Sequence, residues 1–393
     1  VSQPIYLTHD GKPGVGPAAF ARTLFVSDAQ LRDRLWQGLP MVGDAYCAFS
    51  QAIDLAIHLK VRWVMSLGDL FDAKLNPAGP VVFLAGQGQK LYRQKIEFYE
   101  IQGNHDWQNP SWASVAGALS MHKLWMNGDY FDSPAFGFDF MRPDLFAEEV
   151  KAVPDNCRFL LTHQLWKELV PVAVVGCSFA DVPDHITTLI TGDYHEVILG
   201  KYYSRGEGRP PLRVFSFGSP VMDSLGETPD KNVYVMYGDG ELKAFPLKHR
   251  PFHRTAKMTL ETEFDAFIEQ LSEELQPKTL AKTVDGLPPE IARPLYVVEY
   301  AANIPQAAKR LREAAKDRAW IVDRRFNPDT GREASRRGLA DLDEDEMLNE
   351  LGVRLAHPRR RELACALWKS HEPAMLLKEA WGEVLSGEKG ESK

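Results

Sequence analysis

The feature that most constrains this chain is a repeated pairing of short apolar runs with polar clusters. Arg22–Ser27 runs into Asp28-Ala29-Gln30, Val61–Leu67 into Gly68-Asp69-Leu70-Phe71-Asp72, and Glu97–Ile101 stops before Gly103-Asn104-His105-Asp106. Arg158–Leu161 leads to Thr162-His163-Gln164, and Ile186–Ile190 leads to Gly192-Asp193-Tyr194-His195. Short, mostly apolar runs of this kind are buried-type strands, and Asp44–Leu59 between the first two has Phe49, Ile53 and Ile57 at helical spacing. The alternation predicts an α/β fold, in which ligands gather at the carboxyl ends of the strands. Leu212–Phe217, Asn232–Tyr237 and Glu241–Phe245 read as three closing strands of the same domain.

The pattern changes near Arg250–Phe252. Beyond it come a helix (Glu263–Leu275), a Pro- and Lys-containing linker, a strand (Pro294–Tyr300), a helix (Pro305–Ala315) and a strand (Trp320–Phe326). An acidic loop, Asp341–Glu350, leads to a helical tail at Arg361–Leu385, with Leu376, Leu377, Ala380, Trp381 and Leu385 on one side. The expected division is 1–252, 253–340 and 341–393.

The 393 residues carry 46 Lys and Arg against 54 Asp and Glu, net −8, which argues against coating nucleic acid by bulk charge but leaves a local grip open. Lys309–Arg337 is the place for one, with ten basic residues against five acidic. Its rival reading is a solvated helix face. The four cysteines contain no CxxC pair, no apolar run reaches membrane-spanning length, and residues 1–13 lack a signal-peptide core, so a cytoplasmic protein is expected.

The residue types fit a pair of divalent cations. Two metals about 3.5–4 Å apart need a bridging carboxylate and flanking oxygen and nitrogen ligands. Asp69 can bridge, Asn104 offers a carbonyl oxygen, His163 and His195 offer imidazoles, and Asp28 and Asp193 add negative charge. Glycines 68, 103 and 192 are expected to turn the backbone at strand ends. His105 is placed to protonate a leaving oxygen, with Asp106 orienting its ring. Ile5–Asp10, ending in His9-Asp10, competes with Asp28 as the first cluster. Asp184-His185, His58, His122, Trp107, Trp112 and Tyr194 are secondary candidates.

GDLFD, GNHD, a later TH and GDYH, in this order, resemble the calcineurin-like metallophosphoesterase superfamily, whose usual series is DxH, GDxxD, GNHD, H and GHxH. Within it, GDLFDAKLNP, VFSFGSPVMDSLGE and the run from Asn232 to Arg250-Pro251-Phe252 make residues 22–252 most similar to the SbcD nucleases. The resemblance implies a four-layer α/β/β/α sandwich with a smaller C-terminal α/β capping domain that helps choose DNA. It implies Asp28 and His195 on a first metal, Asp69 on both, Asn104 and His163 on a second, and His105 as the acid. Gln30 and Asp193 stand where histidines are usual, and both can ligate Mn²⁺, with Mg²⁺ as a substitute. Asp72 stands where a second histidine is common and would repel phosphate. The implied activity is a Mn²⁺-dependent 3′→5′ exonuclease and single-strand endonuclease in DNA repair or recombination. Its implied partners are DNA, a second copy of the chain and an SbcC-type ATPase, with no membrane. Two rivals stand beside it: a phosphatase or phosphodiesterase for a small phosphoester, and a degenerate subunit that only binds DNA ends.

Overall fold

The computed structural model describes residues 22–32, 43–72, 78–106, 112–120, 123–124, 130–131, 135–170, 176–222, 227, 230–237, 241–289, 291–327 and 333–334. His9, Asp10, residues 73–77, Trp107, His122, the acidic loop and the helical tail lie outside them, as does the Trp112 side chain. Two compact units divide the chain: Val1–Phe252 with Gln276–Leu295 and Arg318–Trp320, and His253–Leu275 with Tyr296–Asp317 and Ile321–Lys393.

In the first unit the order is β1 (Thr23–Val26), α1 (Asp44–His58), β2 (Trp63–Ser66), α2 (Ala78–Arg93), β3 (Glu97–Glu100), α3 (Trp112–Ser120), β4 (Lys123–Leu124), β5 (Tyr130–Phe131), β6 (Ala135–Phe138) and α4 (Pro143–Glu149). Then follow β7 (Phe159–His163), β8 (Thr188–Gly192), β9 (Val197–Tyr203), β10 (Leu212–Phe217), β11 (Asn232–Met236) and β12 (Leu242–Pro246). One six-stranded sheet has the order β12-β11-β1-β2-β3-β4 and the other β5-β6-β7-β8-β10-β9. Strands β1, β2, β3 and β4 run parallel, as do β6, β7, β8 and β10.

Alternation along these strands builds four layers. Leu24 and Val26 of β1 join Phe49, Ile53, Leu84 and Leu91 of α1 and α2 in one core cluster. The intervening Phe25 faces the other way, into a cluster with Phe159, Ile190 and Phe215 of the second sheet. Leu160, Leu189 and Val214, on that sheet's far side, pack with Phe146 of α4. With side chains alternating across each strand, the arrangement is helix, sheet, sheet, helix. Parallel strands buried on both faces therefore end together, and the loops after β1, β2, β3, β7 and β8 share one edge.

The second unit holds β13 (Phe252–Arg254), α5 (Glu261–Glu274), β14 (Leu295–Ala301), α7 (Ala307–Ala315), β15 (Trp320–Phe326) and β16 (Glu333–Ala334), with the sheet order β13-β14-β15-β16. It is a small α/β unit. The segment read as a linker contains a short helix, α6 (Pro277–Thr283), started by a proline whose fixed φ suits the first helical position. Four of the ten cations of the basic stretch have carboxylate partners. Lys309 faces Glu313, Arg310 faces Glu261 and Asp265, Arg324 faces Glu299, and Arg325 faces Asp323. Those four cations are shared with carboxylates, which matches the solvated-face reading.

Candidate metal centre

The loops after β1 and β2 run side by side. Asp28 N–H donates to Gly68 O at 3.0 Å, Gln30 N–H to Asp69 O at 2.9 Å, and Leu31 N–H to Leu70 O at 2.7 Å. Their backbones are bent sharply: φ is +52° at Asp28, +47° at Gln30 and +49° at Asp69, and across the site it is +67° at Asp193. None of these is glycine, and left-handed conformations of ordinary residues cost of order 1–3 kcal/mol each. Strain gathered at four candidate ligands is what a site built for function carries.

Asp28, Asp69 and His163, all buried, bring ligand atoms within 4.8 Å of one another. His163 Nε2 lies 3.0 Å from Asn104 Oδ1, 3.4 Å from Asp69 Oδ1 and 3.7 Å from Asp193 Oδ1. His195 Nε2 is 3.6 Å from Asp28 Oδ1, and the Asp193 N–H donates to that same oxygen at 3.2 Å. Six of the seven metal-ligand candidates thus converge through their side chains. Gln30, the seventh, is buried and joined to Asp69 through its backbone.

The hydrogen-bond partners fix the tautomers. His163 Nδ1 faces the Leu67 carbonyl at 2.7 Å. A carbonyl only accepts, so Nδ1 carries the hydrogen and Nε2 is turned toward the carboxylates. His105 Nδ1 meets the Asp72 carbonyl at 2.6 Å, leaving its Nε2 as the exchangeable position. The His105 backbone N–H donates to Asp69 Oδ1 at 2.9 Å, which places the proposed acid beside the proposed bridge.

Asp106 does something other than orient that ring. Its buried carboxylate accepts from the N–H groups of Leu70 at 3.2 Å, Phe71 at 2.9 Å and Gly103 at 3.0 Å, pinning the GDLF loop to the GNHD loop. The expectation for Asp106 is corrected accordingly: ring orientation falls to the Asp72 carbonyl. Asp72 is also less repulsive to phosphate than its charge suggests, since Arg32 Nη1 lies 3.4 Å from its Oδ1. Of the three glycines expected to turn the chain, only Gly68 has a left-handed φ, +97°. Gly103 and Gly192 serve by leaving space: a Cβ on Gly103 would overlap Asp69 Oδ1, and one on Gly192 would stand 2.6 Å from His163 Nδ1.

Electrostatics follow from this crowding. Burial pushes the Asp69 carboxyl up, but the neighbouring His163 and His105 hold it below the usual range. Burial raises Asp193 to about 6; His163 pulls it back while Asp28 and Asp69 add to the rise. His163 is lowered by burial, yet Asp69, Asp28 and Asp193 together lift it well above its ordinary value. His195 is likewise lowered by burial but lifted to about 10 by Asp28 and Glu227. Asp106, wholly enclosed, is pushed to about 6 by burial and by Asp69, against its backbone bonds to Phe71 and Gly103. Glu100, at the end of β3, is raised well above the carboxylate range by burial and by Asp106 and Asp139. The donor set fits divalent cations: Asp193 holds its proton more tightly and His163 and His195 gain protons, because positive charge relieves the repulsion among the carboxylates.

No family model matches the chain. It is 25% identical over 240 residues to the DNA double-strand break repair protein Mre11 of Methanosarcina acetivorans, covering 56% of this chain and 37% of that protein. The Mre11 of Methanosarcina mazei is 26% identical over 191 residues, 44% of this chain and 30% of that protein. The chain therefore spans about a third of the length of these curated relatives. The motif series of this chain resembles that of the calcineurin-like metallophosphoesterases, and its sequence is similar to DNA double-strand break repair proteins. Solved structures similar to this chain include a novel archaeal phosphodiesterase, at 11% identity and TM-score 0.33 over 57% of this chain and 99% of that one. Another is a dimetal phosphatase from Danio rerio, at 12% identity and TM-score 0.37 over 58% of this chain and 100% of that one.

Sequence reasoning missed several groups that bond to this cluster. Ser27 Oγ donates to Asp28 Oδ2, and Ser219 Oγ donates to Asp28 O at 2.9 Å. Glu227 Oε1 accepts from His195 Nδ1 at 3.2 Å. Ser219 and Glu227 lie in the quoted GSPVMDSLGE segment, but nothing in its pattern separates them from ordinary loop residues. The secondary candidates lie apart from the cluster in their bonding. Asp184 pairs with Arg209, His185 faces Asp155, Tyr194 OH donates to Glu196, and His58 is exposed in the last turn of α1.

Proposed function

We infer that this chain is a divalent-metal-dependent phosphodiesterase acting on DNA, a nuclease of SbcD type. The observation carrying this reading is the approach of Asp28, Asp69 and His163 within 4.8 Å at the shared carboxyl edge of two sheets, with His105 bonded to Asp69 through its backbone. Asp28, Gln30, Asp69, Asn104, His163, Asp193 and His195 would hold two cations, with Mn²⁺ or Mg²⁺ favoured by so many oxygen donors. Bound there, the cations would polarise the phosphodiester and lower the pKa of an attacking water. The protein's own groups do the rest. Leu67 O holds His163 with Nε2 inward, Asp106 keeps two ligand loops in register, and Asp72 O leaves His105 Nε2 to deliver a proton to the departing oxygen.

Similarity to a DNA double-strand break repair protein over 56% of the chain supports DNA as the substrate; the motif resemblance would add 3′→5′ exonuclease and single-strand endonuclease activity, a homodimer and an SbcC-type ATPase partner. Exposed Val82 and Tyr92 on α2 and Leu119 on the adjoining α3 are in keeping with a self-association surface. By the same resemblance, the small α/β unit would help select DNA.

A second reading, a phosphoesterase for small substrates, is favoured by the net charge of −8 and by the carboxylate partners of Lys309, Arg310, Arg324 and Arg325. Supplying Mn²⁺ with end-labelled duplex and single-stranded DNA, and in parallel with a chromogenic phosphodiester, separates the two. The nuclease reading expects EDTA-sensitive degradation of DNA. Cleavage of the small ester alone, unaltered by an added ATPase partner, would refute it.

A further inference from the structure

The geometry points to Glu227 and Lys231 as a positioning pair for His195, a role that rests on the metal-centre reading above. His195 follows β8 of one sheet, whereas Lys231 directly precedes β11 of the other, where its carbonyl accepts from Leu247 N–H at 2.9 Å. The Glu227 carboxylate spans the distance between them. Its Oε1 lies 3.2 Å from His195 Nδ1, and its Oε2 accepts from Lys231 Nζ at 2.7 Å. The side chains are largely enclosed, 14% exposed for Glu227 and 7% for Lys231.

Three consequences follow from the chemistry. An ionised carboxylate only accepts, so it holds the hydrogen on His195 Nδ1 and leaves Nε2 facing Asp28 Oδ1, 3.6 Å away. Without it the imidazole is free to exchange tautomers or to rotate. A carboxylate behind a ligating imidazole also raises the electron density of the ring, and such outer partners are typically worth 10–100-fold in metal affinity. Lys231, in turn, occupies the second oxygen of Glu227 and compensates its charge. The order of action is therefore Lys231 on Glu227, Glu227 on His195, and His195 on the cation.

The test is a Mn²⁺ titration of the metal-free full chain followed by EPR, which counts free Mn²⁺ independently of any activity. Glu227→Ala is expected to weaken one class of bound Mn²⁺ by 10–100-fold while leaving the other class unchanged. Glu227→Gln, which keeps an acceptor for Nδ1–H, should recover much of that loss. Lys231→Met should weaken the same class to a smaller degree. Unchanged binding in folded Glu227→Ala overturns the proposal, and so does an equal loss in both classes that Gln fails to recover. If Glu227→Ala does not fold, Glu227→Gln and Lys231→Met decide on the same criterion: selective weakening supports the role, and native binding in both refutes it. A native chain that binds no Mn²⁺ refutes the metal centre itself, whereas native binding with indifferent variants refutes only the positioning pair.

Discussion

Gly192 offers a sharp test of how tightly the site is built. It pairs with His163 in the β7–β8 register. A Cβ placed there would stand 2.6 Å from His163 Nδ1 and 2.7 Å from Ser27 Oγ, and it would overlap the Leu67 carbonyl. These are the groups that aim the His163 ring and contact the Asp28 carboxylate. Restoring an ordinary contact of 3.4 Å would move the ring by roughly 0.8 Å, since its own hydrogen bond to Leu67 O is only 2.7 Å long. Overpacking of this kind costs about 1–3 kcal/mol of stability. For a unit of this size that is roughly 2–10 °C in Tm. A shift near 1 Å at a reacting centre costs about 100-fold in rate. Gly192→Ala is therefore expected to fold, to melt several degrees lower and to lose about two orders of magnitude in Mn²⁺-dependent phosphodiester cleavage. Gly86→Ala is the control: it makes the same chemical change on an exposed position of α2, where the new Cβ meets nothing within 4 Å. It should stabilise by about 0.5–1 kcal/mol and leave turnover unchanged. Thermal unfolding in EDTA and cleavage assays in Mn²⁺ measure both variants. A Gly192→Ala protein with native Tm and rate would refute the close-approach argument, and equal damage from Gly86→Ala would show that the effect is not local.

Two other outcomes are expected. His105→Ala should lower turnover by about 10²–10⁴-fold while keeping Mn²⁺ affinity, because Asp69 is held by the His105 backbone N–H and not by the ring; parallel cleavage and Mn²⁺ titrations check it, and a loss of affinity that accounts for the rate would contradict it. In the metal-free protein, the His195–Glu227 pair should produce a stability plateau between about pH 4.5 and 6.5, measured as Tm against pH in EDTA and flattened by Glu227→Ala. His195, raised from 6.5 to about 10, contributes fully below 6.5 and loses its contribution as pH rises through 10, while Glu227, lowered from 4.5 to about 2, loses its contribution as pH falls toward 2.

Much of the architecture was legible because parallel strands covered on both faces are mostly apolar. The runs before Asp28, Asp69 and His163 follow that pattern, and their shared edge brings the candidate ligands together. What escaped was decided by contacts between distant segments. Helix α2 contains Pro80, Gly86 and Gly88, residues that read as breaks, yet burial of Val81, Leu84, Ala85 and Leu91 holds it. Strand β9 has an irregular sequence with a glycine at its centre and is held through pairing with β10. Asp106 illustrates a different limit. Its place beside His105 suggested a bond to the ring, but the carboxylate lies among three backbone donors, two of them from a loop over 30 residues earlier. Glu227 reaches His195 across 32 residues from a loop with no periodic signal. Strand ends can be read locally; the groups that steady them cannot.

The two departures from the usual motif series then acquire a physical meaning. Replacing imidazoles with Gln30 and Asp193 makes the donor set more oxygen-rich and adds one negative charge. Asp193 carries that charge reluctantly, since burial and the nearby Asp28 and Asp69 raise its carboxyl to about 6. At neutral pH such a group is already mostly ionised, so a cation need displace little proton to use it. Its N–H meanwhile donates to Asp28 Oδ1 at 3.2 Å, so the residue links the two halves of the cluster through its backbone as well as its charge. Histidine at this position would supply a neutral donor and remove one of the three carboxylates now balanced against His163 and His195. The cluster as built therefore gains more from dipositive charge than an imidazole-rich one would, and its preference should move toward hard cations and away from Zn²⁺.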